Sequence, residues 1–299
     1  MLLSSSTTSP LESLRPHLTE SASVGLNSSV AYGLADTVSL YSSLKAHASS
    51  MFSTAGNPVP YSSNSWWTDE AMEALNYQFS SEELKILQDI ASYRDQKGLP
   101  MPSVSKSLTA VAKIHAEDLF RNQPDHVGSC NLHSWSNKGF WTPVCYIVNP
   151  DGSHPYANLM WSKPKEITQK LFAQTFTGNG YEIAHSGDPA NAVTSWKTSK
   201  GHNDVILEQD IWSNVDWNSI GVGVSNGHAV VWFAQESDPD DPGSNLNTAH
   251  KLGTLSGSRT FKESVGSSDP TDVYSFQVSK LSQVEVSIGG ETISPSNTF

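Results

Sequence analysis

Residues 220–235 read IGVGVSNGHAVVWFAQ, and this stretch constrains the fold more than any other. Ile220, Val222 and Val224 alternate with Gly221 and Gly223, and Asn226-Gly227 is the preferred two-residue hairpin turn, so two antiparallel strands are expected with the second over 228–235. The glycine face of the first strand has no side chains. It therefore lets another backbone or a helix approach closely. Helical patterns precede this hairpin, and together they predict an α+β domain in which helices cover a small antiparallel sheet.

The helices carry local start and stop signals. Ser80 and Glu83 form a capping box ahead of an apolar stripe of Leu84, Leu87, Ile90 and Ala91, and Gly98 with Pro100 ends the run. A second helix is expected over 105–122, with Leu108, Val111, His115 and Leu119 on one face; His115 on that stripe reads as a core histidine. Periodicity then fails between 124 and 163, and a long irregular stretch inside a domain is usually functional or cross-linked. Pro164 can open a third helix with Ile167, Leu171 and Phe172 facing inward. Residues 178–187, GNGYEIAHSG, form a short segment that brings Glu182 and His185 near a cleft. Asp188 and Pro189 open a further helix with Ala192, Val193 and Trp196 on one face. Gly201 is expected to end it in the left-handed conformation, which would hold His202 just past a rigid end.

Outside this region the chain changes character. Residues 1–79 form a Ser-rich extension with a weak helical pattern through Val30, Leu34, Val38, Tyr41 and Leu44, a linker over 57–64, and Trp66 and Trp67 packing on the domain that starts at Ser80. Residues 80–238 read as the main domain. Residues 239–246 are an acidic Pro/Gly linker in the SDPDDPGS stretch, which reads as solvated, with calcium binding the less favoured alternative. From 247 to 299 the alternation of Tyr274, Phe276 and Val278, and of Val284, Val286 and Ile288, predicts a strand-rich module with a thin core.

With 18 basic against 30 acidic residues and a formal charge of −12, no basic patch can dominate, so nucleic acid is not an expected partner. No apolar run is long enough for a helix to span a bilayer. The first residues, MLLSSSTTSP, lack a basic n-region and do not read as a secretory signal as written. Cys130 and Cys145 are compatible with either a bridge or two free thiols.

The ordered set SYRDQKGLP, LTAVAKIHAEDL, LHSWS, GNGYEIAHSG, AVTSWKTSKGHNDVIL and IGVGVSNGHAVVWFAQ resembles the CAP superfamily, which groups cysteine-rich secretory, antigen five and pathogenesis-related proteins. The resemblance covers roughly residues 80–238 and implies an α-β-α sandwich. It also implies a cleft lined by His133 and His202, which can hold zinc or another divalent cation, with Glu182 as its acidic residue. Aligned on Gly180, Tyr181 takes the family's glutamate position, and a one-residue shift restores the match at Glu182. The family's second acidic residue has no counterpart here. Residues from 247 resemble the start of a bacterial pre-peptidase C-terminal domain, a partial all-β sandwich. Both resemblances imply an extracellular protein and a Cys130–Cys145 disulfide.

Three functional readings are open at this point. The first is a binding module that takes a small apolar or lipid-like ligand, or a cell-surface partner, against His133, Glu182, His185, Trp196, Ser199 and His202. The second is a metal-assisted, peptidase-like hydrolase with His133 and His202 on the ion and Glu182 as general base. The third is a purely structural domain. The absence of an activated-nucleophile pattern favours binding.

Overall fold

A computed structural model describes residues 65–172, 174–239, 241–243, 245–265, 270–278 and 284–289. The expected helix through Val30–Leu44 and the linker over 57–64 lie outside the described residues.

The hairpin forms as the sequence dictates. Strand β3, Ser219–Ser225, and strand β4, His228–Ala234, pair antiparallel around Asn226 (φ 42°) and Gly227 (φ 82°), the two positive-φ residues that a tight hairpin of this twist needs. Strand β2, Tyr181–Ser186, adds antiparallel to β4, and the short β1, Ser103–Val104, adds parallel to β3. The sheet order is β1-β3-β4-β2, which leaves β2 on an edge.

Helices lie on both faces. On one face, α3 (Lys106–Asn122) runs against the hairpin, with α1 (Trp66–Leu75) and α5 (Lys163–Leu171) beside it and the short α4 (Ala157–Trp161) next to α5. On the other face lie α2 (Ser81–Asp95), α6 (Ala192–Thr198) and α7 (Lys200–Ile206). Strand alternation divides the core accordingly. Val230, Trp232 and Ala234 of β4 join Leu108, Val111 and Ile114 of α3, while Val231 and Phe233 join Ile86, Ile90, Trp196 and Val205. The result is an α-β-α sandwich, as the resemblance implied. The bare glycine face has the expected use, because a Cβ on Gly221 would lie 2.2 Å from the Leu108 carbonyl carbon and one on Gly223 would lie 2.2 Å from the Lys113 nitrogen.

Two caps hold the ends of this frame. Ser80 and Glu83 form the reciprocal capping box of α2. Ser105 caps α3, and Asp238 accepts from the Ser107 amide at 2.8 Å and from both serine hydroxyls. Asp238, read from sequence as the edge of a solvated linker, thus closes a helix N-terminus, where a carboxylate is favoured. Glu83 has a second role: it holds the buried Lys113 ammonium at 2.8 Å and ties α2 to α3.

The aperiodic stretch is cross-linked. Cys130 and Cys145 form a disulfide with a Cα–Cα separation of 4.9 Å, and Trp135 and Val144 make a two-residue bridge inside the loop it closes. Asp118 of α3 anchors the loop through the Ser136 amide and hydroxyl. Loop-closure entropy for about 15 residues gives an expected loss of about 3 kcal/mol in Cys130→Ser/Cys145→Ser, read as a lower urea midpoint than that of the oxidised protein.

Three sequence expectations are corrected. Gly201 does not stop a helix in the left-handed conformation. The break falls at Ser199 (φ −93°, ψ 113°), whose carbonyl accepts the first bond of α7, and Gly201 and His202 lie in the opening turn of that new helix. The first described helix is α1, upstream of Ser80; Trp66 and Trp67 do pack inward as expected, edge-on to Trp141 at 5.8 and 6.0 Å. Beyond 247, β5 (His250–Thr254) and β6 (Tyr274–Gln277) pair in parallel, while Val284, Val286 and Ile288 form no strand among the described residues.

Candidate functional site

The edge of the sheet at β2 is where the two helical layers and the cross-linked loop converge. Strand alternation sends Tyr181 and Ile183 to the α7 side and Glu182 and Ala184 to the α3 side. Tyr181 is taken up in an aromatic group with Trp161, Trp212 and Trp217, at ring centroid distances of 5.4, 4.7 and 5.4 Å. The one-residue shift from Tyr181 to Glu182 is therefore a choice of face, and the carboxylate is on the face toward α3.

There Glu182 is wholly buried between two imidazoles. Its Oε1 accepts from His133 Nδ1 at 2.7 Å and its Oε2 from His115 Nδ1 at 2.5 Å. Burial alone would raise the carboxyl's pKa, but the charge and hydrogen bond of His115, then those of His133, hold it below the ordinary range. His133 rises from the disulfide loop with 18% of its side chain exposed, edge-on to Tyr146 at 5.3 Å. His202 comes from α7 on the other layer, and the two rings are 6.3 Å apart between centroids. Burial, reinforced by His133, pushes the His202 pKa down to about 4, so this imidazole is neutral near pH 7.

The other expected contacts separate from this group. Trp196 is 1% exposed and its indole N–H donates to the Ala184 carbonyl at 3.0 Å, so it is a core residue and offers no surface to a ligand. Its place on the apolar stripe of α6 was the signal for that outcome. His185 points to the α6 side of β2, edge-on to Trp196 at 6.4 Å. Ser199 is half-buried at the break between α6 and α7 and makes no side-chain cap. Glu182, the expected general base, has both oxygens engaged by imidazole N–H groups and no exposed surface. It reaches the partly exposed His133 ring through the Oε1–Nδ1 contact.

The metal expected from the resemblance finds a partial fit. His133 and His202 are two neighbouring imidazoles of the kind that suits zinc. Among the described residues no group of three or more His, Cys, Asp and Glu side chains is arranged to hold an ion. A closed four-ligand site is therefore not built among the described residues. Were an ion bound, His133 and His202 would be the two imidazoles to hold it, and Glu182 behind His133 would be the carboxylate that orients that ring.

Sequence reasoning placed His115 in the core, and it is there, 0% exposed. What that reading missed is its partnership with Glu182. Tyr146, beside His133, was missed as well. The available signal for His115 was a histidine on a fully apolar stripe, whose ring nitrogens must both find partners once buried.

An α-β-α sandwich with a carboxylate held between histidines at its sheet edge defines the class of domain. Residues 87–235 match the family model described as CAP, the Cysteine-rich secretory protein family, and this segment is a CAP domain. No curated protein matches the chain. Among solved structures it is similar to an extracellular protein containing a SCP domain from Bacillus anthracis str. Ames, at 16% sequence identity and a TM-score of 0.33. That match covers 54% of this chain and 42% of the other, so the chain spans less than half the length of that protein. No helix among the described residues is long and apolar enough to cross a membrane.

Proposed function

We propose that this is an extracellular CAP-domain protein that binds a small apolar or lipid-like ligand, or a surface partner carrying such a group, at the His133–His202 cleft. The observation that carries the reading is the state of Glu182. With both oxygens spent on imidazole N–H groups, it is not available to activate a water, while His133 keeps Nε2 and His202 keeps a neutral ring for a ligand's polar end. Tyr146 supplies an aromatic wall at His133, and Tyr156 and Leu159 in the following segment expose apolar surface. The disulfide supports an oxidising, extracellular setting. The residues from 247 are carried as the start of a pre-peptidase C-terminal-like β module, with the β5–β6 pair as support.

The test is titration of the delipidated protein with a fluorescent polyunsaturated fatty acid. Saturable binding is expected, weakened about three- to tenfold in His133→Ala and in His202→Ala, the range of one hydrogen bond. Absence of saturable binding would sink the reading.

A second reading, a metal-assisted hydrolase, is favoured by one observation, the neutral His202 ring beside His133. His133 and His202 would hold the ion and Glu182 would keep the His133 ring oriented. When bound, the ion would supply Lewis-acid polarisation and a more acidic water. Zinc retained in equilibrium dialysis by the native protein and lost in both histidine variants is the outcome this reading requires.

A further inference from the structure

Helix α1 lies upstream of the segment that matches the family, and its charges are unbalanced. Its sequence, WWTDEAMEAL, carries Asp69, Glu70 and Glu73 and no base. Glu73 stands in the last turn, where the helix dipole disfavours a carboxylate, and Glu70 and Glu73 are like charges one turn apart. Ala71 and Ala74 are wholly buried against the core that α3 shares, so the helix is held close; Asp69 is exposed and Glu70 is half-buried.

The junction of α1 with α3 and α2 brings together four carboxyls and two cations. Lys113 of α3 meets both oxygens of Glu83 from α2 at 2.8 Å and reaches Glu73 at 3.2 Å. Arg121 of α3 pairs with Glu117 on its own helix and lies 5.7 Å over the Trp66 ring. Glu117 also accepts from the Ser225 hydroxyl, and Glu83 from the Val224 amide. Past the end of α1, Lys262 of the tail donates to the Asn76 carbonyl at 3.1 Å. The two cations of the junction are thus engaged by Glu73, Glu83 and Glu117, and those three are the like charges that Glu70 meets. A half-buried carboxyl in that company keeps its proton. Burial first, then the charge of Glu73, with Glu117 and Glu83 adding and Lys113 opposing, pushes Glu70 up to about 8.

We propose that α1 is a pH-sensitive clasp on the sandwich: it grips α3 while Glu70 holds a proton and opens as that proton is lost, uncovering the aromatic surface around Trp141. The covered surface is apolar, with Trp66 and Trp67 edge-on to Trp141 at 5.8 and 6.0 Å and Trp67 edge-on to Phe140 at 6.0 Å. The Trp67 indole N–H and the Thr68 hydroxyl are buried in the closed helix without a hydrogen-bond partner among the described residues, so the water they gain on opening offsets part of the lost contact. The direction follows from linkage. Detached, Glu70 returns to the ordinary 4.5, and clasped it holds its proton to about pH 8. Below 4.5 both states are protonated and pH has no effect. Between 4.5 and 8 opening releases a proton, so it becomes more favourable as pH rises, by up to about tenfold per unit, and above 8 the effect is complete. The inference does not depend on the ligand read for the His133–His202 cleft.

The experiment is hydrogen exchange of the full chain from pH 5.5 to 9, read by mass spectrometry, with each rate divided by the intrinsic rate to give an opening constant. For residues 66–75 of the native protein that constant is expected to rise about three- to tenfold per pH unit up to about pH 8 and then level. At pH 8 it is expected to exceed that of residues 219–234 by at least about tenfold, because a clasp opens while the sheet stays folded. Glu70→Gln, which cannot ionise, is expected to remove the slope and to leave residues 66–75 at least about tenfold better protected at pH 8. Asp69→Asn removes the same charge from an exposed position of the helix and is expected to keep the native slope. An opening constant of the native protein independent of pH would overturn the inference, as would a slope that survives in Glu70→Gln. Equal opening constants for residues 66–75 and 219–234 would also overturn it, since α1 would then leave only when the whole domain unfolds. Should Glu70→Gln not fold, the native profile and Asp69→Asn decide on the same terms.

Discussion

Glu182→Gln is expected to cost about 3–5 kcal/mol of unfolding free energy near pH 5.5, because it removes one partner of a fully buried charge pair and leaves the His115 imidazolium uncompensated. The pH dependence provides the check. Glu182 has its folded pKa held below 4.5, so its contribution is present above about pH 4.5 and is lost as pH falls through the folded value. His115 is the opposite case. Burial pushes it down, but Glu182's charge and hydrogen bond, with the Ser134 carbonyl and the Asp118 charge, together hold it above 6.5, so its contribution is full below pH 6.5 and is lost as pH rises through the folded value. The pair therefore gives its greatest stabilisation between about pH 4.5 and 6.5. Urea unfolding across the pH range should show that maximum in the native protein and a flatter profile in Glu182→Gln. A variant equal to the native protein in both midpoint and profile would mean that the pair carries no such charge.

Gly223→Val should be at least as damaging, at about 4 kcal/mol or more, seen as loss of soluble, cooperatively folding protein. Valine favours a strand by at most about 1 kcal/mol, which does not offset the clash. Its Cβ would lie 2.2 Å from the Lys113 nitrogen and 2.3 Å from the Ala112 carbonyl carbon, both of them backbone atoms that no rotamer change can clear. Helix α3 would have to lift off β3, opening the core beneath Leu108 and Val111 and pulling Lys113 from Glu83. Gly201→Ala is the internal control. Nothing lies within 4 Å of a Cβ there and the residue is helical, so a change between neutral and about 1 kcal/mol of stabilisation is expected. A tolerated Gly223→Val would show that the close approach of helix and strand is not required.

The features legible in the sequence are those with local causes. Asn226-Gly227 needs positive φ at two successive positions and only one tight turn satisfies it. Ser80 and Glu83 satisfy orphan amides within their own helix turn, and Ser105 does the same for α3. The Glu182 register was legible to within one residue, because neighbouring positions on a strand face opposite ways and only packing against Trp161, Trp212 and Trp217 assigns Tyr181 to its side. Gly201 misled because a glycine can end a helix or sit inside the next one, and the sequence carries no record of the extended Ser199 that decides it. Trp196 misled in a similar way: its proximity in sequence to His202 places it near the cleft, yet its ring is turned into the core.

By itself the sequence determined the periodicities, caps and turns, and with them a sandwich whose central strand must accept a helix backbone. Tertiary structure alone decided how the cleft is charged. His115 is on α3, His133 on the disulfide loop, Glu182 on β2 and His202 on α7. Nothing in the spacing of these residues says which oxygen meets which nitrogen. A buried imidazole takes its protonation from the partners that burial brings to it, and those partners come together only when the layers close on the edge of the sheet.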